Sequence, residues 1–290
     1  MAAALALAIA AGTATWSDGA PDRPVPADVV APLPAPGQPV PRQPAGLANA
    51  LTSTTVSLRA AIERWLAEGN PRRGGPPRDV TLLALYQQRI YLVLTGRPKL
   101  ADRTMTRLTG SVAEEARDTL GARMKLKRLA GPVVRRRRTF RTGRALPAGI
   151  LVDVYRKAQR RYGVAWQVLA AVNFVETGFN RLRSNSSAGA QGPMQFIPST
   201  WRAYGQGGNI RDPHDAILGA ANYLRASGAP RNYSRALYAY NHSSLYVGAV
   251  LGYARRIRRD PRVFYAYYSW QVFVRTPSGG TRRLTGPGLR

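Results

Sequence analysis

One carboxylate, Glu176, lies on the apolar stripe of a predicted helix. Leu169 and Val172 precede it by seven and four residues, which are spacings of one helix face. Gly178 predicts the end of the helix, where unpaired carbonyls present partial negative charge. Apolar surroundings and this negative end both favour the protonated carboxyl that a general acid needs near neutral pH. The alternative interpretation is a helix-end Glu that points partly into water, as most Glu side chains do.

A catalytic acid in a glycosidase usually works with a second carboxylate, which serves as base or nucleophile. Between residues 149 and 290 the other carboxylates are Asp153, Asp212, Asp215 and Asp260. Their sequence contexts give each a structural explanation, either as a helix cap, in a basic turn, or among Arg and Lys on an amphipathic helix. This scarcity favours a mechanism in which one carboxyl acts first as acid and then as base, while the substrate supplies the nucleophile.

Composition excludes several kinds of site. The chain of 290 residues has no Cys and two His, His214 and His242, so disulfides, thiolate metal sites and a catalytic thiol are excluded. We therefore expect no metal centre and no cofactor. A hydrophobic content of 44% allows a sizeable core in one or two domains.

The net charge of +28 indicates polyanionic surroundings, which can be nucleic acid, anionic lipid or an acidic cell-wall polymer. Charge alone does not choose among these partners. A genome that favours Arg over Lys would also produce much of the scattered excess. The four consecutive Arg at residues 135–138 fit a solvated charge run better than a phosphate-binding site.

The N-terminal part divides into two stretches. Residues 1–14 are typical of the apolar part of a secretory signal, although no Lys or Arg precedes them. Residues 15–48 are rich in Pro and predict a disordered, extended linker, or a leader without a role of its own. From this pattern we expect export to the cell envelope or beyond.

Helical periodicity with turn signals predicts a helical accessory subdomain over residues 49–145. A second unit covers residues 146–262 and contains the helix of Glu176, predicted at 165–177. In the extension at 263–290, residues 265–274 predict a short strand, followed by a tight turn. The predicted class is thus mainly α, with a short β element near the C terminus.

Three motifs follow one another in the second unit: Glu176-Thr177, then Gly192-Pro-Met-Gln-Phe196 with Pro198 and Trp201, then Ala239-Tyr-Asn241 with His242-Ser-Ser-Leu-Tyr-Val247. Together they resemble the lytic transglycosylases that cleave bacterial peptidoglycan. The last motif looks most like the membrane-associated B-type branch of that family. The resemblance covers roughly residues 146–258, and the order of the motifs makes it specific.

The resemblance implies a lysozyme-like (α+β) catalytic domain with a long cleft. Glu176 would protonate the oxygen between N-acetylmuramic acid and N-acetylglucosamine and then, as a base, deprotonate the muramyl 6-hydroxyl. The product would be a 1,6-anhydro end, formed without water.

The resemblance also implies the residues that bind substrate. Met194 and Gln195 would line the cleft, while Tyr240 would orient the acid and Asn241 would bind sugar. Core packing is the alternative for Met194 and Phe196, and a structural hydrogen bond is the alternative for Tyr240 and Asn241. The remaining candidate contacts are Thr177, which replaces the usual Ser, and Ser187.

Two other functions stay open at this stage besides a transglycosylase. One is a lysozyme-like muramidase that hydrolyses the same bond, and the other is a non-catalytic module that binds the cell wall. A nucleic-acid binder lacks a recognised base-reading motif, so no nucleic acid is expected. The expected partners are peptidoglycan strands and anionic wall polymers, bound by a monomer.

Overall fold

The computed structural model of the protein describes residues 32–131, 139–276 and 280–289. The candidate signal segment 1–14, the first part of the Pro-rich stretch and the Arg run at 135–138 lie outside these ranges. The described residues form the following helices: α1 (Pro44–Glu68), α2 (Arg78–Gly96), α3 (Pro98–Met105), α4 (Gly110–Ala130), α5 (Ala148–Tyr162), α6 (Trp166–Thr177), α7 (Pro198–Tyr204), α8 (Pro213–Ala226), α9 (Tyr233–Tyr240), α10 (Ser244–Arg259) and α11 (Arg262–Ser269).

The predicted mainly helical class and the short β element near the C terminus are confirmed. Strand β1 (Phe273–Arg275) pairs antiparallel with β2 (Thr281–Arg283), with Val274 opposite Arg282. The strand is shorter than the sequence predicted, because residues 262–269 form α11 instead. Asp260 favours this helix by accepting a hydrogen bond from the backbone N–H of Arg262 (3.0 Å), and the aromatic side chains that follow are buried on the core.

Helix α6, which carries Glu176, is buried on all its sides. Every residue from Val168 to Thr177 is buried, so the helix is enclosed rather than amphipathic at the surface. Helix α10 packs along both α6 and α4. The catalytic candidate is therefore held between the C-terminal helices, with the N-terminal helices behind α10.

One hydrophobic core runs through both predicted units. It joins Leu47 and Ile62 of α1 and Ile90 of α2 to Val172 of α6 and Val250 of α10. Polar contacts also cross the predicted boundary: the Gln88 side-chain amide donates to the Gln271 carbonyl, and its oxygen accepts from the Gln271 N–H, both at 2.8 Å. The helices at 49–145 thus share their core with the helices that follow.

Part of the stretch predicted as a disordered linker is ordered. Helix α1 already begins at Pro44, and the residues before it contact α2. The Tyr86 hydroxyl donates to the Pro39 carbonyl (3.1 Å), and the Arg89 guanidinium donates to the Gln38 carbonyl (2.5 Å). Proline-rich backbone keeps its carbonyl acceptors, and α2 uses them.

Among the described residues, no helix combines the length and the apolar character that crossing a bilayer would require.

Candidate active site

Glu176 occupies the last turn of α6 and is 3% exposed. Its Oε1 accepts a hydrogen bond from the Tyr246 hydroxyl at 2.7 Å. Burial raises the pKa of Glu176 to about 8, while the hydrogen bond from Tyr246 opposes that rise. The carboxyl is therefore mostly protonated at neutral pH, as its position on the apolar stripe predicted.

The chain turns sharply after Glu176. Gly178 ends the helix in the left-handed conformation (φ 57°), and Phe179 and Asn180 also have positive φ, at 64° and 65°. Non-glycine residues rarely adopt this region, so the two consecutive residues are strained. Thr177 stabilises this turn, because its hydroxyl accepts a hydrogen bond from the Asn180 N–H at 2.9 Å.

A buried polar network fixes the turn at residues 192–196 against α6. The Thr177 hydroxyl and the Asn173 amide both donate to the Pro193 carbonyl, at 2.7 and 2.9 Å. The Tyr155 hydroxyl of α5 in turn donates to Asn173 Oδ1 at 2.6 Å. Two candidate motifs, the one at Glu176-Thr177 and the one at 192–196, are thereby tied to each other.

The third motif joins the same site through two phenols. The Tyr240 hydroxyl donates to the Met194 carbonyl at 2.5 Å, and the Tyr240 ring stacks on Tyr246 with 6.3 Å between ring centres. The three motifs that are separated in sequence thus converge around one buried carboxyl.

Residues 153–260 match the family model of the transglycosylase SLT domain. This part of the chain is an SLT domain. The family consists of peptidoglycan lytic transglycosylases, lyases that act on a polysaccharide, and its domain is lysozyme-like. The SLT domain accordingly indicates lytic transglycosylase activity on peptidoglycan, which is a cell-wall substrate. Neither the curated proteins nor the solved structures gave a match.

The SLT match lies within the unit predicted at 146–262 and confirms the family that the sequence resembled. Assignment to the membrane-associated B-type branch stays a prediction.

One predicted role within the SLT domain is wrong. Tyr240 does not orient the acid, because its hydroxyl is bonded to the Met194 carbonyl, and Tyr246 contacts Glu176 instead. Helix α9 ends at Tyr240 and α10 begins at Ser244, so Tyr246 lies in the first turn of α10, which packs against α6. Sequence analysis missed Tyr246, although it belongs to the third motif.

The other predicted contacts differ in how far they are accessible. Met194 and Phe196 are 0% and 3% exposed and belong to the core, which was the alternative interpretation for both. The Thr177 hydroxyl is engaged by backbone groups of the protein. Asn241 is buried, whereas Ser187 is exposed in the loop before the 192–196 turn. Substrate contacts by these residues stay predictions.

Gln195 is held in an unusual way in the 192–196 turn. Its φ is 49°, and its amide donates to the Gly192 carbonyl at 3.0 Å. Its Oε1 is buried and has no hydrogen-bond partner among the described residues. A buried acceptor without a donor is destabilising, so this amide is the predicted contact with the clearest need for an external hydrogen-bond donor.

Within the described part of the chain, no group of three or more His, Asp and Glu side chains is placed to hold a metal ion.

Proposed function

We propose that this transglycosylase cleaves the β-1,4 bond between N-acetylmuramic acid and N-acetylglucosamine with Glu176 as its single acid and base. The observation that carries the proposal is the buried carboxyl of Glu176, whose pKa of about 8 keeps a proton available at neutral pH. That proton passes to the glycosidic oxygen as the bond from this oxygen to the anomeric carbon breaks. General acid catalysis of this kind contributes about 10²- to 10⁴-fold to a rate.

The resulting Glu176 carboxylate then accepts the proton of the muramyl 6-hydroxyl. The oxygen of that hydroxyl forms a bond to the anomeric carbon and closes a 1,6-anhydro ring. The carboxyl regains its proton, so the step balances without water. Tyr246 supports the carboxylate between the two transfers, because its hydroxyl donates to Oε1.

The engagement of the other carboxylates supports a single-acid mechanism. Asp212 accepts from the backbone N–H groups of His214 and Asp215, and Asp215 accepts from that of Asn209. Asp153 pairs with Arg72 and Asp260 with Arg262. Each of these four aspartates in the SLT domain therefore serves structure, and none is left to act as a second catalytic group.

Only 3% of Glu176 is exposed, so the carboxyl is largely shielded from bulk water. The cell envelope is the proposed site of action, since the substrate is there. A monomeric state and binding to anionic wall polymers are further proposals, which size-exclusion chromatography and co-sedimentation with walls test.

Digestion of purified peptidoglycan sacculi, followed by mass spectrometry of the fragments, tests the reaction. We expect fragments with 1,6-anhydro ends and none with newly formed reducing ends. Reducing muramic acid ends would instead identify a hydrolase, and binding without fragment release would identify a wall-binding module. Glu176→Gln should lower turnover at least 10²-fold with the fold retained, and full activity in this variant would refute the role of Glu176.

A further inference from the structure

The chain segment before α5 lies beside the segment that leaves the catalytic helix. Thr142 and Leu182 form an antiparallel bridge, in which Gly143 N–H donates to the Arg181 carbonyl and Arg183 N–H to the Arg141 carbonyl, both at 2.9 Å. The Leu182 N–H also donates to the carbonyl of Thr177 at 3.0 Å. This bridge is therefore joined directly to the end of α6, one residue beyond Glu176.

Three exposed arginines, Arg141, Arg144 and Arg183, stand on these paired segments and are called the arginine edge here. Arg183 donates to the Arg144 carbonyl at 3.0 Å, and its guanidinium lies over Gly143. A Cβ at Gly143 would collide with that guanidinium, so the glycine permits this close approach. Backbone pairing and the Arg183 side chain thus fix the two segments of the arginine edge against each other.

Among the described residues, no carboxylate forms an ion pair with the arginine edge. The sequence contains no Asp or Glu at residues 119–152 or 177–211, the stretches that supply both paired segments. None of the ion pairs among the described residues includes an arginine of the edge. Arg255 and Arg262, by contrast, pair with Asp118 and Asp260. Three like charges are therefore gathered beside the catalytic helix, with no counter-charge from the part of the chain that the structure describes.

We propose that the arginine edge binds the carboxylates of the peptides carried by the muramic acid residues of the glycan strand. This inference rests on the proposed function, which brings such a strand to Glu176. The sugar backbone offers few anionic groups, whereas its peptide substituents carry free carboxylates. Arginine suits this partner because its planar guanidinium can bind a carboxylate through two parallel hydrogen bonds. The edge would make the enzyme prefer peptide-bearing strands.

Two substrates distinguish peptide binding by the arginine edge from an effect on the cleavage reaction. One is a set of soluble glycan fragments that carry peptides. The other is the same set after an amidase has removed the peptides and the lactyl carboxylates freed by that cleavage have been converted to neutral amides. Both are prepared without phosphate-bearing wall polymers. KM and kcat are measured on each for the wild type and for the triple variant Arg141→Gln, Arg144→Gln, Arg183→Gln.

We expect the triple variant to raise KM about tenfold on peptide-bearing fragments at low salt, which is the effect of losing three exposed ion pairs. KM on stripped fragments and kcat on both substrates should stay near the wild-type values. The matched Arg→Lys triple variant retains the charge and should keep most of the preference. Equal losses on both substrates, or no loss on either, would overturn the proposal.

A control for bulk charge uses the exposed face of α5. Arg156, Lys157 and Arg160 are exposed and take part in no ion pair among the described residues, so their replacement by Gln removes the same charge elsewhere. We expect this control to leave the preference for peptide-bearing fragments unchanged. A loss as large as that of the edge variant would show that net charge, and not the edge, sets the preference.

Binding by the Glu176→Gln protein separates this proposal from the proposed reaction. Fluorescence anisotropy with labelled fragments should show that this protein binds the peptide-bearing set more tightly. The preference should disappear when the three Arg→Gln substitutions of the edge are introduced into the same protein. The result stands whether the wild type yields anhydro or reducing ends. If the edge variant instead weakens only binding to walls that retain phosphate polymers, the partner is phosphate and the proposal is wrong.

Discussion

Glu176 is protonated because it is buried, and the same burial lowers the stability of the fold as pH rises. Its pKa is about 8 in the folded protein against an ordinary value of 4.5. Between these values the folded state binds a proton that the unfolded state has released, so the free energy of unfolding falls with increasing pH. The stabilisation is complete below about pH 4.5 and is lost progressively up to about pH 8.

A Gln at this position has no proton to lose and should reveal this effect. We expect the difference in the free energy of unfolding between Glu176→Gln and the wild type to rise with pH. At pH 7 it should favour the variant by about 3 kcal/mol more than at low pH. Urea unfolding from pH 4.5 to 8.5 measures the difference. Glu68→Gln makes the same substitution at the exposed end of α1 and serves as the matched control. A difference that is constant across this range would contradict the raised pKa.

Burial raises the pKa of Glu176, and the hydrogen bond from Tyr246 opposes that rise while it fixes the position of Oε1. This hydrogen bond favours the carboxylate, so Tyr246→Phe should raise the pKa of Glu176 further and move the alkaline limb of the kcat profile to higher pH. The maximum kcat should fall about tenfold or more, because the carboxyl is no longer fixed. Tyr240→Phe, which removes only the bond to Met194, should leave the limb in place. A limb that shifts equally in both variants would contradict this assignment.

Local pattern predicted the buried carboxyl of Glu176 but not the hydroxyl that donates to it. The apolar spacing before Glu176 and the glycine after it depend on neighbouring residues alone, and they placed the carboxyl in a buried last turn as found. The contact with Tyr246 joins residues seventy positions apart. It depends on the packing of α10 on α6, which periodicity does not specify. The sequence analysis therefore named Tyr240 for this contact and missed Tyr246.

Helix α10 links the site to the N-terminal helices through α4. Asp118 of α4 is largely buried, and its Oδ1 accepts two hydrogen bonds from Arg255 of α10, at 2.6 and 3.1 Å. Arg259 lies 3.6 Å from its other oxygen. These contacts fix α10 along α4, and Tyr246 is carried at the opposite end of α10.

We expect Asp118→Asn to lower the free energy of unfolding by about 1–2 kcal/mol, since it removes the charge that accepts from Arg255 and lies close to Arg259. Asp153→Asn breaks an ion pair in which both side chains are largely exposed, so its effect should stay below about 1 kcal/mol. Chemical denaturation of both variants makes the comparison. Equal effects would mean that the α4 and α10 contact adds no more than a surface pair.

The elements were predicted well where local signals were strong and poorly where packing decided. Helix α6 began and ended within one residue of its predicted position, because a glycine marks its end. Residues 265–269 were predicted as strand from their aromatic content, yet they form part of α11, whose aromatic side chains are buried on the core. The burial of tyrosine and phenylalanine rings against the core outweighed the strand propensity of these residues.

At the scale of the whole molecule, the SLT domain is embedded in a core that it shares with the N-terminal helices. Leu51 and Ile90 belong to the same cluster as Val172 and Val250, and Gln88 pairs with the backbone at Gln271. Removing α1 to α4 would expose the apolar face of α10. The N-terminal helices therefore complete the catalytic fold, whatever else they do.

We expect a fragment of residues 146–262 not to fold cooperatively, whereas the chain from residue 32 onward should unfold in one transition. Circular dichroism and calorimetry on both proteins measure this. A fragment that melts cooperatively and cleaves peptidoglycan would show that the predicted boundary at residue 146 separates independent domains. A second, independent transition in the longer chain would lead to the same conclusion.

The source of the oxygen at the new glycan end tests the single-acid mechanism of Glu176. Peptidoglycan digested in water enriched in the heavy oxygen isotope distinguishes the two reactions, because a hydrolase places a water oxygen at the new end and a single-acid transglycosylase does not. If Glu176 serves as acid and then as base for the muramyl 6-hydroxyl, the products carry anhydro ends without the label. Labelled reducing ends would contradict the mechanism proposed for Glu176.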